Sequence, residues 1–376
     1  MSITLISILL FIASIAISYF LVGKIRDVVI YKEILDSPNE RSSHEASTPN
    51  LGGMAFYIIL MLSFYFTQPY DTANTVMSII PGLTILFIVG LKDDLVVLAP
   101  LSKLFAQIAA AVFLVFHYKL NIETLNGFMG IEEMPAYVAA PLGVLIVVSV
   151  INAVNLIDGI DGLATTVGIV MFSVFGSLFY LAANYFLMMI CIVMIGSLLA
   201  FLRFNLSPTK KIFMGDTGSM ILGFMLGLMT VRLLALDSKT LSELPFQYEN
   251  LPFVVAAILI IPLFDTVRVF TVRILKKKSP FSADRSHIHH LIIDYYKISH
   301  RRASFYIGVV NFLVIALFSF LAMRTSQWQL LLVFIAFILG AIIFFFILNK
   351  PRVFRKIKVI TKRKLNNQKE KHHNKE

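Results

Sequence analysis

Long apolar runs separated by short polar stretches fill this chain almost from end to end. About eleven of them reach the roughly 17 to 25 residues that a helix uses to cross a hydrocarbon core. They lie near 3–22, 51–67, 76–91, 102–118, 136–154, 162–181, 185–202, 217–236, 252–270, 303–323 and 328–348. The pattern predicts an all-α polytopic integral membrane protein with one transmembrane domain over 1–349. The remaining stretch, 350–376, is polar and basic and is expected to be a disordered tail that touches anionic lipid.

Composition excludes a soluble globular domain, because 58% of the 376 residues are hydrophobic and only 15% are charged. The only cysteine, Cys191, lies inside an apolar run, so no internal disulfide can form. No basic residue precedes the first run, whereas Lys24 and Arg26 follow it. A cleaved signal peptide has the opposite charge order, so this run is expected to be a retained first helix with its N-terminus outside. With that orientation, all but four of the 33 Lys and Arg residues fall on the inner side, the four being Lys119, Arg232, Lys239 and Arg324. The positive-inside rule then places the acidic loops in the cytoplasm.

Five carboxylates sit where apolar runs meet these inner loops: Asp93, Asp94, Asp158, Asp161 and Asp216. Charge near hydrocarbon is costly and is retained mainly for function. In a chain of net charge +11, acids gathered on one face point to a divalent cation and a phosphate substrate. Adjacent Asp93 and Asp94 repel each other and ionise together comfortably only beside a cation, with Lys92 and Lys103 flanking them. Mg²⁺ suits such a pair, since it takes hard oxygen ligands and keeps waters and substrate phosphate oxygens. In INAVNLIDGIDGLATT, Asn152, Asn155, Asp158 and Asp161 recur every three residues, which predicts one polar side of a helical turn. Gly159 and Gly162 loosen the backbone there, and no basic residue lies in the stretch.

The other inner loops are less decided. SPNERSSHEASTPNLGG offers Arg41, His44 and Gly52-Gly53 to a diphosphate, but it also reads as an ordinary turn-rich connection. In KKIFMGDTGSM, Asp216 precedes an apolar helix and is either a ligand or a simple N-terminal cap. Phe213 could stack on a base or be an interfacial aromatic. His287, His289 and His290 crowd beside Arg285 and Lys276–Lys278, and with no cysteine near them they favour anion contacts over a metal cage.

RSSHEASTPNLGG, LKDDLV, NAVNLIDGIDGLA, FMGDTGS and SPFSADRSHIHHL occur in this order between about Ser37 and Arg302. Together they resemble the polyprenyl-phosphate N-acetylhexosamine-1-phosphate transferase family, which includes the enzymes that initiate O-antigen, enterobacterial common antigen and wall teichoic acid synthesis. The resemblance implies a multi-pass enzyme of the bacterial inner membrane. Undecaprenyl phosphate would attack the β-phosphorus of a UDP-N-acetylhexosamine, giving a lipid-linked sugar diphosphate and UMP. It implies Mg²⁺, with Mn²⁺ able to substitute, held by Asp216 with Asp93 and Asp94 at the metal or lipid-phosphate end. Asp158 and Asp161 would lie by the nucleotide and metal, His287, His289 and His290 on phosphates, and Phe213 on uracil. Arg41, His44, Lys103, Asn152, Asn155 and Arg285 complete the substrate-binding set. The implied partners are the UDP-sugar, undecaprenyl phosphate, the bilayer and, in some relatives, a second copy of the chain; nucleic acid is not among them.

The branch that uses UDP-N-acetylmuramoyl-pentapeptide carries a contiguous triple histidine. His-Ile-His-His, preceded by Ser-Pro-Phe and Arg285, looks like the N-acetylglucosamine-1-phosphate branch instead. A transporter would place its acids along a route through the midplane and on both faces. Here they collect on one.

Overall fold

The computed structural model describes residues 2–36, 48–116, 122–277 and 287–348, and every predicted apolar run carries a helix within them. The basic tail lies outside the described residues. α1 (Ile3–Tyr31) starts at Ser2, whose hydroxyl accepts the Leu5 N–H, and it continues through Lys24 and Arg26 instead of stopping near residue 22. Then come α2 (Met54–Thr67), α3 (Thr75–Leu95), α4 (Pro100–Val115), α5 (Ala136–Ile157), α6 (Leu163–Leu181), α7 (Tyr185–Asn205) and α8 (Gly215–Leu234). A short α9 (Ser238–Leu241) leads to α10 (Leu251–Ile258), α11 (Ile260–Leu275), α12 (Ile288–Tyr296), α13 (His300–Ala322) and α14 (Gln327–Leu348).

Among the described residues, eight helices are long and apolar enough to cross a bilayer, and nine spans result when the bent α10–α11 pair counts as one. α2 has 14 residues and α4 has 16, short of the ~20 residues a full crossing takes. The predicted runs are therefore all helical segments without all being full-length spans. The run expected to be continuous over 252–270 is broken and bent by 68°. Pro262 explains the break. Its ring lacks an N–H and would clash with the carbonyl four residues back, at Ile258, where α10 ends.

The all-α prediction stands, with two small antiparallel ribbons added among the described residues. β1 (Leu35–Asp36) pairs with β2 (Thr48–Pro49) at the base of the first loop, in the register Leu35↔Pro49. β3 (Thr124–Phe128) and β4 (Ile131–Glu133) form a hairpin between α4 and α5.

α8 is the axis of the bundle. Its apolar stretch is 94% buried, against 17% for α1 and 11% for α14, and it packs on α2, α3, α5 and α6. A helix apolar all round belongs inside protein, and the peripheral helices turn their apolar surface outward. Because successive helices reverse direction, the C-terminal ends of α3 and α5 meet the N-terminal ends of α4, α8 and α13 at one end of the molecule. The start of α8 lies in the middle of that end.

Candidate active site

Gly215 takes φ +69°, a left-handed value that favours glycine, and so turns the chain into the first turn of α8. The opening N–H groups of a helix have no partner within it. Asp94, at the end of α3, supplies one. Its Oδ1 accepts the Asp216 N–H at 2.7 Å, and its Oδ2 accepts the Thr217 N–H at 3.1 Å and the Thr217 hydroxyl at 2.6 Å. A carboxylate at a helix N-terminus also complements the dipole. Asp94, expected at the metal or lipid-phosphate end, caps α8 from a neighbouring helix and fixes where Asp216 stands.

Asp93 and Asp216 converge on one ammonium. Lys103 Nζ lies 2.9 Å from Asp93 Oδ2 and also pairs with Asp216 Oδ2. The Leu98 N–H donates to Asp93 Oδ1 at 2.7 Å, which holds the acid at the α3–α4 turn. Asn155 donates to Asp216 Oδ1 at 3.2 Å and to Ser219 Oγ at 2.8 Å. Hard oxygens from two helices, already drawn to a single cationic centre, are the donor set that Mg²⁺ or Mn²⁺ takes. Among the described residues, no three His, Cys, Asp or Glu side chains stand grouped around one point. A cation held by Asp216 and Asp93 would therefore fill its shell with water and phosphate oxygens, as Mg²⁺ does.

The three-residue row of the third loop stops early. α5 ends at Ile157, Asp158 caps it, and the turn through Gly159 carries Asp161 to a different neighbourhood. There Lys211 Nζ sits 2.8 Å and His300 Nδ1 3.6 Å from Asp161 Oδ2, while the Ser304 hydroxyl donates to the Asp161 carbonyl. Burial would lift the Asp161 carboxyl, but His300 and Lys211 outweigh it and hold the group below the usual carboxylate range. Asn152 lies a turn deeper than Asn155, and its amide donates to Gln107 Oε1 at 2.5 Å rather than toward the acids. Sequence spacing assumed one helix where there is a helix, a turn and a second helix.

Asp158 has no such partner among the described residues. Burial first, then the charges of Asp216, Asp94 and Asp161, push its pKa up to about 7. The unfolded chain loses this proton near pH 4 and the folded one near 7, so ionisation opposes folding increasingly between those values and fully above them. In protein stripped of divalent cation, Asp158→Asn is expected to raise the thermal midpoint at pH 8 and to change it little at pH 4. An equal shift at both pH values would contradict the assignment.

The double glycine of the first loop is also spent. Gly52 and Gly53 donate their N–H groups to the Phe213 and Met214 carbonyls, both at 2.9 Å. Those amides lock α2 against the approach to α8 and are not open to a diphosphate. Phe213 is half-buried beside them, with the Lys211 ammonium 5.0 Å from its ring centroid.

The histidine motif opens α12. His289 is 1% exposed, both its ring nitrogens lack a hydrogen-bond partner among the described residues, and a Cβ placed on Gly159 would stand 2.4 Å from its Nε2. Burial, reinforced by His290, holds it well below the ordinary histidine range. At neutral pH it is therefore an uncharged imidazole, and the anion contact expected from the sequence would be a hydrogen bond from its one N–H. His287 meets Asp265, whose Oδ2 lies 2.8 Å from its Nδ1. His290 is buried, with its ring centroid 4.3 Å from that of His289.

Arg41, His44, Arg285 and Lys278 lie outside the described residues. Sequence reasoning passed over Lys211, His300 and Asp265. Asp265 left a signal, being an acid inside the apolar run 252–270 with Arg268 three residues on. Lys211 stood unassigned in KKIFMGD, and His300 had no signal, since only folding brings α13 to Asp161.

The profile of the family described as glycosyl transferase family 4 matches residues 76–234, a segment that runs from α3 through α8. The chain is 30% identical over 335 residues to the "Probable undecaprenyl-phosphate N-acetylglucosaminyl 1-phosphate transferase" of Bacillus subtilis (strain 168), covering 89% of this chain and 90% of that protein. It is 28% identical over 267 residues to the undecaprenyl-phosphate alpha-N-acetylglucosaminyl 1-phosphate transferase of Escherichia coli (strain K12), covering 69% of each. A protein of the same description from Yersinia pestis is 27% identical over 275 residues, 71% of this chain and 72% of its own length.

Proposed function

The chain belongs to glycosyl transferase family 4, and from that premise we propose that it transfers N-acetylglucosamine 1-phosphate from its UDP-sugar to undecaprenyl phosphate. The observation that carries the reading is the meeting of Asp93, Asp216 and Lys103 at one end of the bundle, inside a likeness that covers nearly the whole chain.

In chemical terms, an oxygen of the lipid phosphate attacks the β-phosphorus of the donor. The bond from that phosphorus to the bridging oxygen breaks, and UMP leaves with the oxygen. A phosphate monoester has a second pKa near 6 and is largely dianionic at pH 7, so no strong general base is required. The work left to the protein is positioning and charge neutralisation. Lys103 offers a positive charge at the joint of α3, α4 and α8, and Asn155 orients the Asp216 carboxylate. Neutral His289, beside the Asp158 turn, has a single ring N–H to offer the diphosphate. Phe213 takes the uracil ring once Lys211 moves off its face. Mg²⁺ at Asp216 and Asp93 would supply charge to the diphosphate oxygens and stabilise the leaving UMP.

We place the polyprenyl chain in an apolar groove of about 490 Å³ between α10–α11 and α14. Leu263, Phe264, Val267, Phe345 and Phe346 wall it, and Arg268 stands at its side. The excess of basic residues on the side of the acids supports a cytoplasmic active site in the inner membrane, which is where a UDP-sugar is available. The test is formation of an organic-extractable sugar from labelled UDP-N-acetylglucosamine by purified protein with undecaprenyl phosphate. Product is expected with Mg²⁺, is expected to vanish with a chelator, and should return with added Mn²⁺. Full activity in the chelator would remove the metal from the reading, and no product under any condition would remove the activity.

A further inference from the structure

Asp265 is 1% exposed and lies on α11 just beyond the bend, where it gathers three donors. Oδ1 accepts from Arg268 Nη2 at 2.7 Å and from the Ile288 N–H at 2.9 Å, and Oδ2 faces His287 Nδ1 at 2.8 Å. Each contact has a separate consequence. The Arg268 guanidinium, 4.4 Å from the centroid of Phe345, ties the carboxylate to α14. The Ile288 N–H is one of the unpaired donors of the first turn of α12, and no side chain of the N-cap residue His287 satisfies that turn. An ionised carboxylate only accepts, so the proton on His287 must sit on Nδ1 and Nε2 is left as the nitrogen that faces away.

From His287 the chain of contacts continues. Its ring is nearly parallel to that of His289, at 8°, with centroids 5.7 Å apart, and His289 rests against Gly159 in the turn that carries Asp158. Pro262 sets the bend, the bend presents Asp265, and Asp265 sets the start of the histidine motif.

We propose that Asp265 is a positioning residue for the transfer reaction: acting through His287, it fixes the tautomer of that ring and the placement of the histidine motif against the Asp158 turn. The proposal rests on the transferase reading above. Asp265 is more than a counter-ion for Arg268, because that pairing would occupy Oδ1 alone and would not need His287 on Oδ2.

The test is a double-mutant cycle on kcat with Asp265→Asn and His287→Ala. Asn keeps one acceptor for the Ile288 N–H and Arg268 but turns an N–H₂ toward His287, which reverses the tautomer it can hold. In the wild-type background Asp265→Asn is expected to lower kcat on the order of 10- to 100-fold, the range for groups that orient a working histidine, with the KM for the UDP-sugar little changed. In the His287→Ala background the same change should cost less than about twofold, since coupled residues are not additive. An equal loss in both backgrounds, or no loss in either, overturns the proposal.

A second measurement reads the wild-type protein itself and uses a variant only to assign the signal. In wild-type protein with ¹⁵N-labelled histidine at pH 8, assigned by loss of the signal in His287→Gln, His287 should carry its proton on Nδ1. A proton on Nε2 with Nδ1 bare overturns the proposal. Absence of transfer by the wild type would instead defeat the functional reading, and the tautomer would still judge the placement of His287.

Discussion

Asp216→Asn is expected to lower the rate of lipid-linked product formation by about 10³-fold or more, the scale of losing a charge-stabilising group from a reacting phosphoryl centre. Asp216 is where four contributions meet: the cap from Asp94, the ammonium of Lys103, the amide of Asn155 and the first turn of α8. Asparagine keeps the size of the side chain and an oxygen for the Asn155 amide, and Lys103 keeps Asp93. What it removes is one negative charge. The favourable term of an acid in the first helical turn is about 0.3–1 kcal/mol, so the thermal midpoint should fall only slightly. Single-turnover assays with labelled donor give the rate, and Mn²⁺ titration followed by electron paramagnetic resonance gives the cation affinity. Loss of rate and of Mn²⁺ affinity together is the expected outcome. A variant within tenfold of wild type on both would show that the reaction centre is elsewhere.

Gly53→Ala is expected to be the most damaging small substitution in the bundle. An added Cβ would stand 2.1 Å from Gly218 Cα, 2.2 Å from Gly218 N and 2.6 Å from the Met214 carbonyl oxygen. All three are backbone atoms of the chain entering α8 and of its first turn, so no side chain can rotate away. α2 and α8 would have to separate, breaking the Gly52 and Gly53 hydrogen bonds to Phe213 and Met214. Forcing atoms into a packed interior costs about 1–3 kcal/mol and sometimes more, and a rigid helix crossing belongs at the upper end. Because the displaced turn carries Asp216, activity should fall with stability. Gly340→Ala in α14 is the matched control: nothing lies within 4 Å of its Cβ, and alanine favours helix, so it should be neutral or slightly stabilising. Thermal unfolding in detergent compares the two. Equal midpoints for both variants would mean that the α2–α8 contact is looser than described.

The architecture was legible because hydropathy is read one residue at a time and bilayer thickness fixes the length of each run. Every predicted run is helical, and the acids of α3 and α8 do meet Lys103. What escaped depends on direction or on distant partners. A proline in an apolar run barely alters its hydropathy, so the break before Pro262 did not register. A spacing of three residues looks helical whether or not the helix continues, and α5 stops at Ile157 between Asn155 and Asp161. Glycine pairs serve close helix crossings as readily as phosphate loops, and Gly52-Gly53 proved to be the former. Asp265 was overlooked because it lies in the middle of an apolar run, the very position where a charge has most to explain. Arg268 lies three residues on in the same helix, but His287 and the Ile288 N–H at the start of α12 could be recognised only in three dimensions.

The most direct measurement uses UDP-N-acetylglucosamine labelled with ³²P at the β-phosphorus and ³H in the sugar, given to purified protein with undecaprenyl phosphate and Mg²⁺. Transfer of sugar 1-phosphate predicts both labels in the lipid at the donor ratio, with one UMP released for each. Tritium alone in the lipid, with labelled UDP left in solution, would mean that the sugar–oxygen bond breaks instead, and it would contradict the phosphoryl transfer assigned to Asp93, Asp216 and Lys103.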